Sequence, residues 1–206
     1  MNILVFDVET TGLAYYNKPL TDPSQPHIVQ LSALQIHVTP AEPWVRQSLS
    51  LIVEPGDWEI PDEATQVHGI STDYALDWGQ PEEDVLRSFL PLWVGNGESS
   101  LLVSHNVKFD HFVISAAIAR FMDETTLKQW TNANTFCTMQ ESKALVQARN
   151  SRGALKYPKL TEAYEFFFNE PLDRAHSANA DTVACMQIYF ALQQCKVVGK
   201  NEEESE

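Results

Sequence analysis

The sequence predicts an α/β fold with a mixed central sheet and helices on both faces of that sheet. Three strand-like segments, 2–6, 27–38 and 44–53, come first in the chain. Helical patterns dominate later, and the short apolar segment 101–103 between them is typical of a buried strand. Because these elements must bury their apolar faces against one another, we expect one sheet that is covered by helices.

The other elements follow from the residues that begin and end them. The polar, Pro-containing stretch 13–26 is expected to be a loop. Pro61 and Pro81 each stand where a helix begins, because proline is tolerated in the first turn and acidic residues follow. Pro91 should kink or end the second of these helices. The predicted later helices are 107–121, 136–148, 160–168 and 178–194, and 149–158 is a basic loop.

Length and composition favour one domain. The 206 residues are 44% hydrophobic, which supports a sizeable core. We expect a single domain over 1–196. Residues 197–206 are predicted to be an acidic, disordered tail, because a segment so rich in glutamate has little apolar surface to bury.

Composition also bears on location. The chain has no apolar stretch long enough to cross a bilayer, and no basic segment followed by an apolar run at its N-terminus. Its cysteines, Cys137, Cys185 and Cys195, match no zinc-binding spacing and indicate a reduced protein. We therefore expect a cytoplasmic protein without a membrane span or signal peptide.

The net charge of −14 limits how the protein binds nucleic acid. Non-specific binding rests on clusters of Lys and Arg, and this chain has only 14 basic residues with no basic run. The acidic surplus indicates a solvated surface, or carboxylates whose charge is cancelled by bound metal.

Asp7 and Glu9 are the most informative pair. A strand alternates its side chains, so Asp7 and Glu9 share a face with Ile3 and Val5, which should be buried. Like charges in a desolvated place are costly unless a cation neutralises them, and carboxylate oxygens suit Mg²⁺ or Mn²⁺. The alternative is a solvated strand end with two surface acids.

Asp110 and Asp181 each lie at the head of an apolar helical stripe. Such an acid either favours the positive end of the helix dipole or faces the core for a functional reason. His176 precedes Asp181 by five residues and is best placed in the loop before that helix. Four such acids with one histidine are the pattern of a two-metal site with a mobile base. The stripes are Val113, Ile114, Ala117 and Phe121, and Ala184, Cys185, Ile188 and Leu192.

These residues carry a resemblance to the DnaQ-like exonucleases of the DEDDh class, near exonuclease X and the polymerase III epsilon-type domains. Phe6-Asp-Val-Glu-Thr-Thr-Gly12 resembles the first family motif, and His105-Asn-Val-Lys-Phe-Asp110 the second. His176-Ser-Ala-Asn-Ala-Asp181 matches the third, and Ile60–Ile70 resembles a further family segment. The resemblance implies a ribonuclease H-like fold and removal of nucleoside 5′-monophosphates from a 3′ end.

The resemblance also implies a role for each motif residue. Asp7, Glu9 and Asp181 would hold one Mg²⁺ or Mn²⁺ ion, and Asp7 would bridge to a second. Asp110 would hold that second ion directly or through water. His176 would be the general base that takes a proton from the attacking water.

Other residues are expected to bind the substrate. The resemblance implies that Thr10, Thr11 and Gly12 place backbone and hydroxyl groups against the terminal nucleotide. Tyr15 and Tyr16 follow in a loop that is longer than in compact relatives, where they stack on a base or simply fill the loop. The basic loop near Arg149–Lys159 either guides the strand or is plainly solvated.

The expected function is metal-dependent 3′–5′ exonuclease activity on DNA, with single-stranded ends favoured. One alternative is a 3′–5′ exoribonuclease, because contacts to the 2′-OH are not visible in a sequence. Another is a non-catalytic binding module on the same fold. A third is a proofreading subunit that is bound to a polymerase or another replication or repair partner.

Overall fold

The computed structural model describes residues 1–39, 42–95, 98–173 and 177–203. The strands are β1 Asn2–Thr10, β2 Ile28–His37, β3 Trp44–Glu54, β4 Gln80–Pro81, β5 Val94–Gly95, β6 Glu98–Ser99, β7 Leu101–Ser104 and β8 Thr135–Cys137. The helices are α1 Asp62–His68, α2 Thr72–Trp78, α3 Glu82–Trp93, α4 Val107–Phe121, α5 Glu124–Thr131, α6 Thr138–Val146, α7 Leu160–Phe168 and α8 Ala178–Glu203.

A six-stranded sheet in the order β4-β3-β2-β1-β7-β8 forms the centre of the molecule. β1, β2 and β3 are antiparallel neighbours, whereas β7 runs parallel to β1, β8 to β7, and β4 to β3. The short strands β5 and β6 pair only with each other. The predicted mixed sheet is therefore confirmed.

Helices cover both faces of the sheet, as predicted. Leu4, Phe6 and Val8 of β1 point to one face and belong to the main core, which α3 and α4 complete. Ile3 and Val5 point to the other face and pack in one cluster with residues of α8. The alternation of side chains along β1 thus divides the core into two layers.

β1 is longer than the predicted strand 2–6, so Asp7 and Glu9 lie within it instead of just after it. Antiparallel pairing with β2 continues through Asp7, Val8 and Glu9, and the register shifts only between Glu9 and Thr10. The Thr10-Thr11-Gly12 sequence ends the strand, but only after the carboxylates have been paired into the sheet.

Some later elements differ from those predicted. The helix expected at 136–148 begins as strand β8, because Thr135–Cys137 pairs in parallel with β7. α2 and α5 were not predicted; both are short helices capped by Ser71 and Asp123. Pro91 lies in the last turn of α3, which ends two residues later. The helices at 107–121 and 160–168 agree with the prediction.

α8 continues to Glu203, well beyond the predicted end at residue 194. It therefore enters the range 197–206 that the sequence predicts as an acidic tail. The division into a domain over 1–196 and a tail over 197–206 stays a prediction. Among the described residues, no helix is both long enough and apolar enough to cross a membrane.

Candidate active site

β1 and α8 bring three of the predicted carboxylates together. Asp7 and Glu9 project from the face of β1 that α8 covers, and Asp181 lies in the first turn of α8. One carboxylate oxygen from each of these three residues lies within 4.8 Å of the others. The predicted common face is thus confirmed, and Asp181 completes it from the helix above.

Polar residues of β2 hold α8 over these carboxylates. The backbone N–H of Ala178 donates to Oε1 of Gln30 at 3.2 Å. The hydroxyl of Thr182 lies 3.4 Å from the carbonyl oxygen of Ser32 and 2.6 Å from that of Ala178. Because Gln30 and Ser32 are the strand partners of Glu9 and Asp7, these contacts dock α8 directly beside the pair.

The stripe below Asp181 supplies the apolar part of this docking. Ala184, Cys185, Ile188 and Leu192 are each at most 2% exposed, as the helical spacing predicts. Cys185 packs with the β1 face that carries the carboxylates. Burial of this stripe therefore fixes the direction in which Asp181 points.

The fourth carboxylate, Asp110, is held by the protein itself. Its Oδ1 accepts the backbone N–H of Val8 at 3.2 Å, and its Oδ2 accepts the hydroxyl of Ser104 at 2.6 Å. Parallel pairing of β1 with β7 extends only to Val5, so beyond it the side chain of Asp110 takes the place of a strand partner. Asp110 is 3% exposed and heads the buried stripe that the sequence predicts.

The four carboxylates interact electrostatically. Burial raises the pKa of Asp7 well above its usual range, and the charges of Asp110, Asp181 and Glu9 raise it further. Burial and then the charges of Asp181 and Asp110 raise the pKa of Glu9 to about 7. Ionised together, these groups repel one another, and a divalent cation would relieve that repulsion.

The pKa of Asp110 is subject to two opposing effects. Burial raises its pKa to about 7, although the hydrogen bonds from Ser104 and from the backbone of Val8 favour the ionised form. The hydrogen bonds fix the orientation of the carboxylate, whereas burial opposes its charge.

The donor set fits a hard divalent cation. Asp7, Glu9 and Asp181 offer only carboxylate oxygens at mutual distances that one ion can bridge. Oxygen-only sets of this kind select Mg²⁺ or Mn²⁺ over softer metals. Asp110 stands beside this set, oriented by its two hydrogen bonds.

The predicted base, His176, lies outside the described residues, so its role stays a prediction. The chain is described again from Ser177, whose carbonyl oxygen accepts the N–H of Asp181 at 2.9 Å. α8 begins one residue later, at Ala178.

The predicted substrate residues Thr10, Thr11 and Gly12 line a cavity of about 410 Å³ together with Glu9. The hydroxyl of Thr10 donates to the carbonyl oxygen of Gly12 at 2.8 Å. Thr11 exchanges two hydrogen bonds of 3.0 Å with the backbone of His27, which anchors this loop to the start of β2. The opposite wall comes from the Ile60–Ile70 segment, and Phe109 of α4 also contributes.

The loop tyrosines are placed differently from each other. Tyr15 is half-exposed, and the ammonium group of Lys18 lies 4.9 Å from the centre of its ring. Tyr16 packs against Phe112 of α4, and burial together with the charge of Asp110 raises its pKa. The role of Tyr15 in contacting a base stays a prediction, while the structure places Tyr16 close enough to Asp110 to be affected by its charge.

His105 joins the loop before α4 to two other parts of the chain. Its Nε2 lies 3.1 Å from the carbonyl oxygen of Pro158, which can only accept, so Nε2 carries the proton. Its Nδ1 then accepts from the hydroxyl of Thr138 at 3.0 Å. Burial lowers the pKa of His105 to about 4. These contacts agree with a neutral histidine that orients the loop around Asp110.

Sequence reasoning missed several supporting residues. Ser104 is the last residue of a buried strand, and Gln30 and Ser32 interrupt the otherwise apolar stretch Ile28–Leu34 of β2 at alternate positions. A polar residue on the face that should be buried was the signal that could have found them.

A family model for exonucleases, RNase_T, matches residues 4–189 of the chain. A search of the curated proteins found no match to this sequence.

Solved structures of exonuclease I share the fold. The Escherichia coli enzyme in complex with a dT13 oligonucleotide is 20% identical, with a TM-score of 0.71 over 93% of this chain and 40% of that one. A moderately thermophilic exonuclease I from Methylocaldum szegediense is 17% identical, with a TM-score of 0.71 over 94% of this chain and 40% of that one. This chain therefore spans about two fifths of the length of these structures, and the ribonuclease H-like fold is confirmed.

Proposed function

We propose, from the premise that this chain belongs to the RNase_T family of exonucleases, that it removes nucleotides one at a time from the 3′ end of DNA. The observation that carries the proposal is the group formed by Asp7, Glu9 and Asp181, whose oxygens lie within 4.8 Å of one another. The exonuclease I structures bound to dT13 and dA16 support a single-stranded substrate by likeness of fold.

Two Mg²⁺ or Mn²⁺ ions are the proposed cofactors. Asp7, Glu9 and Asp181 would hold one ion, and Asp7 and Asp110 would hold the other. When bound, such a pair stabilises both the attacking and the leaving oxygen of an in-line displacement at phosphorus. The burial and repulsion that raise the pKa values of Asp7, Glu9 and Asp110 support this assignment, since two dications would offset the repulsion.

The other roles belong to the chain's own residues. His176 takes a proton from the attacking water, and its place just before α8 brings it near Asp181 in sequence. Thr10, Thr11 and Gly12 face the cavity beside Glu9 and hold the terminal nucleotide. Tyr15 is proposed to contact the base from the loop that follows. The product is a nucleoside 5′-monophosphate.

Several finer predictions accompany this function. DNA replication or repair is the expected setting, with a polymerase or another replication or repair protein as the proposed partner. The cytoplasm is the expected location. The acidic composition favours a basic protein partner over direct contact with nucleic acid across the whole surface.

One matched assay tests the proposal. End-labelled single-stranded DNA, double-stranded DNA and RNA are incubated with Mg²⁺, with Mn²⁺ or with EDTA, and the products are resolved by length. We expect stepwise shortening of single-stranded DNA from its 3′ end that requires metal. Preferential shortening of RNA would indicate an exoribonuclease instead, and no metal-dependent hydrolysis of any substrate would favour a non-catalytic module.

A further inference from the structure

A second and larger cavity, of about 660 Å³, borders a different face of α4. Lys108 and Phe112 line it from the helix, and Tyr16 lines it from the 13–26 loop. Strand β8 and the start of α6 form the opposite wall. Phe109, one residue after Lys108, lines the Thr10–Gly12 cavity instead, so the first turns of α4 stand between the two cavities.

The loop that carries Tyr16 is held in place by buried polar contacts. Gln25 is 2% exposed, and its side chain donates to the carbonyl oxygens of Tyr15 and Pro19 and accepts the N–H of Tyr15. Arg120 of α4 donates to the carbonyl oxygens of Gln25 and Pro26, each at 2.9 Å. The loop is therefore fixed at both ends along α4, and Tyr16 is positioned before any ligand binds.

Tyr16 remains accessible to a ligand in this position. Its ring meets Phe112 edge-on with centroids 4.8 Å apart, and it is still 47% exposed. The ammonium group of Lys108 lies 4.6 Å from the centre of the same ring. An aromatic face beside a cation suits a nucleotide, because the base can stack while the cation meets the phosphate.

The charges around the cavity favour an anion. Lys108 makes no ion pair with any residue that the structure describes, so its charge is available. Glu141, the acidic residue of the lining, is paired with Lys196 at 2.7 Å. The lining therefore carries one unpaired positive charge in a protein that is acidic as a whole.

We propose that the cavity bounded by Tyr16, Lys108 and Phe112 binds a nucleotide upstream of the bond that is cut, with its base on Tyr16 and its phosphate at Lys108. This inference rests on the proposed function, because it assumes cleavage at the carboxylates. Cleavage there leaves the departing nucleotide in the Thr10–Gly12 cavity and the remaining strand on the other side of the first turns of α4. Any base can stack on an aromatic ring, so the site would bind the upstream nucleotide at every cleavage step along the strand.

The length of the substrate tests this inference. Labelled oligothymidylates of two to eight nucleotides are hydrolysed by the unaltered protein and by Tyr16→Ala and Tyr16→Phe, and kcat/KM is measured for each length. We expect Tyr16→Ala to lower kcat/KM for the octanucleotide about 5- to 150-fold more than for the dinucleotide. Tyr16→Phe should keep the dependence on length, because it keeps the ring. Phe166→Ala removes an exposed aromatic side chain outside the cavity and is the matched control.

Lys108→Gln tests the phosphate contact separately and, at an exposed position, should not disturb folding. The slope of log KM for the octanucleotide against log salt should become shallower by about 0.7, the value of one phosphate contact to a single strand. If Tyr16→Ala lowers kcat/KM by the same factor for every oligonucleotide length, or for no length, the proposal is overturned.

Binding of the labelled octanucleotide in EDTA, followed by fluorescence anisotropy, separates the two proposals. If the unaltered protein hydrolyses nothing, the proposed function fails. Weaker binding by Tyr16→Ala would still support the cavity as a strand-binding site, and unchanged binding would overturn it.

Discussion

The carboxylates of the site form two groups that the protein supports in different ways. In the first group, one carboxylate oxygen from each of Asp7, Glu9 and Asp181 lies within 4.8 Å of the other two. Asp110 instead receives hydrogen bonds from a serine hydroxyl and from a backbone N–H of β1. Within the described residues, no donor hydrogen-bonds to the carboxylate of Asp7 or Glu9. Burial and the neighbouring charges raise the pKa of each of these two residues.

This difference indicates that the two groups of carboxylates contribute differently to metal binding and activity. Asp7 and Glu9 would rely on a cation for neutralisation, because burial and the neighbouring charges both oppose their ionised forms. Asp110 is oriented in advance, so a small change in its surroundings should alter activity without removing metal binding altogether. Mutations in the two groups should therefore have effects of different size and kind.

Asp7→Asn should have the largest effect. The charges of all three other carboxylates act on Asp7, and we expect its loss to remove metal binding and to lower activity at least about 10³-fold. Calorimetric titration with Mn²⁺ and a nuclease assay on the same preparation measure both. Because the change also removes a repelled charge, the metal-free variant should melt at a higher temperature than the unaltered protein. Persistent stepwise hydrolysis would contradict the metal assignment.

His176→Ala should separate chemistry from metal binding. Loss of a positioned general base lowers the rate by about 10²- to 10⁴-fold, whereas the carboxylates remain to hold the ions. Mn²⁺ titration should give an affinity within a few-fold of the unaltered protein. A large loss of Mn²⁺ affinity would instead make His176 part of the metal site.

Ser104→Ala should have an intermediate effect confined to the Asp110 group. A hydrogen bond to a charged group contributes about 1.5–3 kcal/mol, so we expect activity to fall about 10- to 100-fold. The proposed Mn²⁺ site at Asp7, Glu9 and Asp181 should be retained. Ser142→Ala removes another fully buried serine hydroxyl, in α6, and serves as the control. Equal activity of the two variants would show that the hydrogen bond from Ser104 does not contribute to the role of Asp110.

The pH dependence of stability should give the smallest effect. Glu9 and Asp110 have a pKa of about 7 in the folded protein, above the ordinary carboxyl values near 4. Their raised pKa stabilises the fold below about pH 4, and this contribution is lost as the pH rises through 7. The melting temperature of the protein in EDTA should therefore fall between pH 5 and pH 8. Saturating Mn²⁺ should reduce that fall, and identical profiles with and without Mn²⁺ would contradict the charge repulsion.

Much of the fold and the outline of the site follow from local patterns in the sequence. The alternation along β1 predicts the common face of Asp7 and Glu9, and helical spacing predicts the buried stripes below Asp110 and Asp181. Each of these signals is contained within a few residues, so a single sequence is enough to show it.

Other features depend on contacts between distant segments. Thr135–Cys137 looks like the start of a helix and becomes a strand only because β7 offers a free edge. The hydrogen bonds of Ser104 and Gln30 likewise form only when α4 and α8 dock against the sheet. Tyr16 was not separated from Tyr15 because their difference lies in how the loop folds along α4.

The hydrogen bond between Ala178 and Gln30 joins positions 148 residues apart in the chain. A carboxylate site assembled from β1 and α8 cannot form until α8 has been synthesised, since α8 lies far C-terminal to β1. Closing so long a loop is also slow, because the chain loses conformational entropy before the stabilising contacts between its ends can form. A nascent chain that has not yet extended to α8 would carry Asp7 and Glu9 yet lack Asp181, so the group of three carboxylates would stay incomplete until α8 is made.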